Sequence, residues 1–287
     1  MRTRKKIALV SVIMTAVCIL AAFVPVVSAH ADTITSEDNS ISDPKEITPV
    51  VLDDACDIEK MEPAYSMNDI TLKENMGYQE YRYLSFDLME DSWVYMSGGF
   101  SLNSHDGASV HVDIYGSSAY TRKIGEYGWG YWEYEKKFCG FLKKGTYYME
   151  IKAKQSNYGD YTGNVDLYAA RIPVSKVFTI TQKLSKGKKS VKVTLNNRLA
   201  GYMKYVQYKE GKIGSSRIYS ENTWIYMSSG FYLNSDAATL LKNKNDRYSF
   251  TVKKNGKYTI MVTDSEGSRC QKVVSVKGIR KNAKKRK

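Results

Sequence analysis

Residues 110–115 read Val-His-Val-Asp-Ile-Tyr. Val110, Val112 and Ile114 fall on one side of an extended chain and His111, Asp113 and Tyr115 on the other, the period-two pattern of a half-buried strand. The same texture recurs at 83–88 (YLSFDL), 147–151 (YYMEI) and 165–168 (VDLY), between segments rich in Gly, Asn, Asp and Ser. A second series follows Arg171-Ile172-Pro173, at 177–181, 190–195, 202–208, 248–252, 258–263 and 271–276. No stretch after residue 31 sustains a helical period. Short strands separated by turn signals predict an all-β fold, with two β-sandwich domains over 61–175 and 176–277. The 23 tyrosines against 8 phenylalanines fit half-wet sheet surfaces, where a ring packs and its hydroxyl stays solvated.

The chain ends differ in texture from this middle. Arg2, Arg4, Lys5 and Lys6 precede an apolar run over 7–27, interrupted by Pro25, and Ala29-His30-Ala31 has the small-x-small form of a signal-peptidase site. Residues 1–31 are therefore expected to be a signal peptide, giving a secreted chain that starts at Asp32. The run approaches the length of a membrane span, but Pro25 and the two alanines favour cleavage over an anchor. Residues 32–60 hold nine acidic and two basic side chains and no aromatic residue, and are expected to be a disordered acidic arm. Residues 278–287 are expected to be a solvated basic tail.

Charge divides the molecule. Residues 32–175 carry 13 basic and 24 acidic side chains, net −11, whereas 176–287 carry 26 basic and 6 acidic, net +20. Such an asymmetry speaks to partners and association, not to fold. Three cysteines follow the signal: Cys56, Cys139 and Cys270. They allow one disulfide at most, in any of three pairings, which excludes a disulfide-stapled fold.

Two resemblances add to this reading. Residues 61–175 resemble the pre-peptidase C-terminal domain, a jelly-roll-like bacterial sandwich, through Leu142-Lys143-Lys144-Gly145-Thr146-Tyr147-Tyr148-Met149-Glu150-Ile151 and the strand from Tyr161 to Tyr168. Residues 176–277 resemble bacterial Ig-like modules in Tyr208-Lys209-Glu210-Gly211-Lys212, in 250–260 (FTVKKNGKYTI) and in Asp264-Ser265-Glu266-Gly267, with a longer insertion between Gly211 and Tyr248. Both resemblances imply accessory or adhesive modules and carry no catalytic residues.

One segment repeats. Residues 93–104 (WVYMSGGFSLNS) return at 224–235 (WIYMSSGFYLNS), with nine of twelve positions identical. The pattern predicts a strand-turn-strand with Trp, Tyr and Ser on one face, Val or Ile with Met on the other, and glycine at the bend. The alternative is a paired ligand patch.

No HExxH, CxxC or GxSxG occurs, and only His105 and His111 follow the signal. No catalytic residue, metal site or cofactor is expected. His111 reads as an ordinary strand histidine beside Asp113. A Cys139–His111 nucleophile and a Glu133/Glu135 carboxylate pair are the enzymatic alternatives. Tyr127, Trp129 and Tyr131 share a face, with Glu133 beyond them, and form the candidate surface for stacking on a glycan, unless the rings are core. Lys186, Lys188, Lys189, Lys253, Lys254, Lys284, Lys285 and Arg286 are the candidate anionic-polymer-binding residues. Outside a bacterial cell the abundant polyanions are cell-wall polymers and anionic lipid headgroups. Nucleic acid is disfavoured by compartment and by the absence of any RRM, KH or helix-turn-helix pattern. The expected function is a noncatalytic surface-associated binding or adhesion protein. A secreted enzyme or enzyme-accessory module acting on carbohydrate or peptide is the alternative, and a structural spacer the second; the oligomeric state stays open.

Overall fold

The computed structural model describes residues 32–34, 40–63, 65–74, 76–101, 107–130, 137–155, 159–199, 201–212, 239–242, 244 and 247–280. Residues 1–31, the second copy of the repeat and residues 281–287 lie outside the described residues.

The alternating segments of the first half build two sheets. One runs β1 (Asp32–Ile34), β4 (Tyr65–Leu72), β11 (Tyr161–Pro173), β6 (Ser92–Ser101) and β9 (Lys137–Leu142), with β3 (Val50–Val51) also pairing with β11. The other runs β2 (Lys45–Ile47), β5 (Met76–Leu88), β10 (Gly145–Gln155), β7 (Ala108–Tyr115) and β8 (Lys123–Gly130). Their inward residues interlock as one core: Phe86, Val112, Ile114 and Ile151 from the second sheet meet Met67, Val94, Met96, Val165 and Leu167 from the first. Burying each large aliphatic side chain contributes roughly 1.5–3 kcal/mol before chain entropy is counted.

The second half adds a sheet of β12 (Phe178–Leu184), β13 (Val191–Asn197) and β16 (Arg247–Val252), and another of β15 (Thr239–Leu241), β14 (Met203–Glu210), β17 (Gly256–Asp264) and β18 (Arg269–Val276). Val191, Val193, Leu195 and Phe250 pack against Val206, Ile260 and Val262, and the Tyr208 and Phe250 rings stack with centroids 3.9 Å apart. The fold is all-β, as the alternation predicts.

The two halves share apolar packing. In β6, Val94 and Met96 enter the first core while Trp93 and Tyr95 enter the second; in β9, Phe138 and Leu142 face the first core and Cys139 and Phe141 the second. Residues 137–142 (KFCGFL) therefore lack polar alternation because both faces are covered. At the crossing from β11, the helical turn Val174–Val177 is tied back by Val174 N–H, which donates to the Asp91 carbonyl at 2.8 Å. All three described cysteines are free.

The acidic segment 32–60 departs from its expected disorder. β1 pairs in parallel with β4, β2 with β5, and β3 with β11. A 3-10 helix follows over Ala55–Lys60, capped by Asp54, and buries Ala55 and Ile58. Composition concealed this because a few apolar residues (Ile47, Ala55, Ile58) supply the burial while backbone pairing does the rest.

The first copy of the repeat departs from expectation in one respect. Its two faces divide as predicted, but residues 92–101 form one continuous strand with no bend. Gly98 instead makes room for an aromatic ring, since a Cβ there would sit 2.3 Å from the Trp129 indole. Gly98→Ala should thus overpack the core and cost about 1–3 kcal/mol, measured by denaturant unfolding. Wild-type stability in that variant would show that the ring moves freely aside.

Candidate functional site

The glycan-stacking face proposed from sequence is corrected by burial. Tyr127 is 1% exposed and Trp129 4%, and both belong to the first core. Trp129 packs against Phe100, and Tyr127 stacks on Trp129. The odd-numbered positions do share a face, but it is the inner one, so neither ring has a surface to offer a ligand. Tyr131 and Glu133 lie outside the described residues, as do Glu135, Lys284, Lys285 and Arg286.

The outward face of the same sheet carries a charged network that sequence did not assemble. Asp113 on β7, only 3% exposed, receives Lys123 from β8 and Lys152 from β10, each at 2.5 Å, and His111 Nε2 at 3.1 Å. Lys123 also pairs with Glu126, and Lys152 lies 3.4 Å from Glu150. Burial disfavours the ionised form of Asp113, but hydrogen bonds from His111, Lys123 and Lys152 prevail and hold its carboxyl well below the usual range. Burial likewise opposes charge on Lys152, and Asp113 overrides it to raise the ammonium pKa. His111, Asp113 and Glu126 have ligand atoms within 4.8 Å of one another. The Lys123 ammonium already bridges Asp113 Oδ1 and Glu126, however, so a metal ion would have to displace it. The network pins β7, β8 and β10 together, and an Asp113 held ionised by three donors is a poor proton acceptor.

Cys139 and His111 do not meet. Cys139 faces the second core from the six-stranded sheet, where burial pushes its thiol up to about 12, whereas His111 lies on the outward face of the other sheet. A thiol so protonated is a poor nucleophile.

At the junction of the halves a carboxylate is buried with no cation paired to it among the described residues. Asp264, at the end of β17, is fully buried and accepts from Trp93 Nε1 at 3.1 Å and from Ser268 N–H at 2.8 Å. Ser268 Oγ in turn accepts from Phe141 N–H at 2.7 Å. Burial is the largest influence and, despite these donors, pushes the Asp264 carboxyl up to about 7.

The lysines scattered in sequence converge at the other end of the second sandwich. β12 ends and β13 begins at the turn 185–190 (SKGKKS), while β16 and β17 meet at 253–255 (KKN). The first turn is tightly made: Lys188 N–H donates to Ser185 O at 2.8 Å, and Ser185 Oγ accepts from the Lys189 and Ser190 N–H groups at 3.0 and 3.1 Å. Lys188 itself sits at φ 53, a left-handed conformation uncommon for a side-chain-bearing residue. After β18 the chain returns between the two turns. Asn255 Nδ2 donates to Ile279 O, Ile279 N–H donates to Asn255 Oδ1, and Arg280 N–H donates to Lys188 O, each at 2.8 Å. Lys186, Lys188, Lys189, Lys253, Lys254, Lys257, Lys277 and Arg280 are all exposed there, and none pairs with a carboxylate among the described residues. Lys183 and Lys192, also exposed, stand directly opposite one another in the β12–β13 ladder. Like charges in that position destabilise a sheet.

No family model matches the chain, and no curated protein matches it. Among solved structures it is similar to the glycoside hydrolase domain of Endo-D from Streptococcus pneumoniae, at TM-score 0.19 and 8% identity over 71% of this chain and 32% of that one. It is also similar to a calcium-binding mutant of Bacteroides uniformis β-glucuronidase 2, at TM-score 0.18 and 11% identity over 71% of this chain and 28% of that one. The chain spans about a third of the length of these structures, and superpositions this loose transfer no site residue and no activity.

Proposed function

We propose that this is a noncatalytic, secreted binding protein that attaches to anionic polymers of the bacterial envelope through the lysine-rich end of its second sandwich. The observation that carries the reading is the gathering of eight exposed cations from three separate segments onto one end, with no acidic partner among the described residues. The opposed Lys183 and Lys192 point the same way, because a bound polyanion relieves a repulsion that the free protein must tolerate. Lysine, not arginine, dominates the set, which suits diffuse attraction to phosphate over bidentate recognition. The turn segments SKGKKS and KKNGK contain no apolar side chain, so the surface lacks the hydrocarbon-burying residues of a membrane-docking element, and a polymer fits better than a lipid bilayer.

Binding of this kind is salt-sensitive. Charge interactions reach about 8 Å at physiological ionic strength and about 3 Å in 1 M salt. The mature protein should therefore be retained on isolated bacterial walls at 0.15 M salt and released well before 1 M. Lys186→Glu/Lys188→Glu/Lys253→Glu/Lys254→Glu should elute at markedly lower salt with its melting temperature little changed. Retention of both proteins through 1 M salt would overturn the electrostatic reading.

A further inference from the structure

The cationic end is a composite, and one side chain bonds both backbone groups of a residue in its third segment. Asn255 satisfies both backbone groups of Ile279, while the Ile279 side chain is buried in the second core and Gly278 turns at φ 87. Lys277 and Arg280 flank this clamp, and the Arg280 amide is bonded to the turn that carries Lys186, Lys188 and Lys189. The Asn255 clamp, the buried Ile279 side chain and the Arg280 bond to Lys188 O together fix Arg280 between the two turns, and of these the clamp alone comes from the 253–255 turn.

We propose that Asn255 is a positioning residue that docks residues 277–280 among the lysine turns, and that the assembled surface takes an extended polyanion spanning all three segments, not a single compact anion. The inference rests on the anion-binding reading above. The turn 185–190 and the start of 253–255 lie side by side at one sheet, whereas Lys257 on β17 and Lys277 after β18 belong to the other sheet of the sandwich. Packed sheets are about 10 Å apart, farther than one phosphate group reaches. A linear polymer bridges that span and engages several cations at once, so its affinity rises with chain length through effective concentration.

The test uses the mature protein with long-chain polyphosphate, tripolyphosphate and orthophosphate, read by calorimetry over a range of salt. The expected result is tight, salt-dependent binding of the long chain, and affinity for tripolyphosphate and orthophosphate weaker by at least about a hundredfold. Each phosphate contact contributes about 0.7–0.9 to the slope of log affinity against log salt. Lys277→Gln/Arg280→Gln should therefore lower the long-chain slope by about 1.5. Asn255→Ala should weaken long-chain binding about tenfold while leaving tripolyphosphate binding unchanged. In the Lys277→Gln/Arg280→Gln background the same substitution should have little further effect, a coupling that mere loss of stability would not produce. If the wild type fails to bind the long chain, the anion-binding reading falls as well. If it binds, but orthophosphate binds comparably or the Asn255→Ala effect persists in full in that background, the composite-site inference is overturned and the simpler reading stands. Should Asn255→Ala not fold, the slope of Lys277→Gln/Arg280→Gln decides by itself, and an unchanged slope overturns the proposal.

Discussion

Replacing Trp93 with alanine should cost about 3–5 kcal/mol in unfolding free energy, the range for truncating a buried indole. Trp93 is completely buried in the second core although it belongs to a strand of the first sandwich. Its ring lies against Tyr202 with centroids 5.2 Å apart and against Tyr95 at 6.3 Å. Its Nε1–H is also a donor to a buried carboxylate, so the truncation opens a cavity and leaves Asp264 with one donor fewer. Trp93→Phe keeps most of the volume and loses the donor, and it should recover a substantial part of the stability. Urea unfolding of the three proteins separates the two contributions. A loss below about 1 kcal/mol for Trp93→Ala would mean that the halves do not depend on this contact. The same packing bears on fragments: a first half expressed without 176–277 uncovers Trp93 and Phe141, and so carries a large apolar patch.

The second large effect is a dependence of stability on pH. The Asp264 carboxyl is raised from an ordinary value of 3.8 to about 7 in the fold. Between those values the native state holds a proton that the unfolded chain releases, so stability falls as pH rises from about 4 to about 7. A shift of that size corresponds to about 4 kcal/mol over the window. Below 3.8 both states are protonated and the group adds no slope. The charge of Glu266 reinforces the shift and its backbone hydrogen bond opposes it, while Asp91, Cys139, Cys270 and Lys272 share the region. Asp113 acts in the opposite sense: its carboxyl is depressed in the fold, so its contribution is complete above 3.8 and is lost as the pH falls further. From these two groups, stability should thus peak near pH 4. Chemical denaturation at pH 5 and 8 measures the slope, and Asp264→Asn should flatten it. A wild type equally stable at both pH values would refute the assignment of a neutral Asp264.

What could be read in advance depended on how local the determining interaction was. The strands were legible because period-two alternation is a property of consecutive residues, as in Val110, Val112 and Ile114. Which face of β8 is inward was not, since alternation says that Tyr127 and Trp129 share a side but not where the partner sheet lies. The expected bend at a glycine fails for the same reason: the place of Gly98 is fixed by Trp129, a residue on the facing sheet. The Asp113 network needs the register of three strands, information that no short window contains. The lysine turns were visible as charge runs, but their union depends on Asn255 and on the path of the chain after β18.

The short strands of the acidic segment have a consequence for solubility. β1 and β2 occupy the outermost positions of the two first-half sheets, beside β4 and β5. A long strand left at such a margin offers a row of unpaired amide and carbonyl groups on which another chain can polymerise. Here each margin ends in three residues, too few to template a neighbour, within a segment rich in carboxylates that repel an approaching copy. β1 and β2 thus act as selvedges, each finishing part of a woven edge so that the fabric does not grow there.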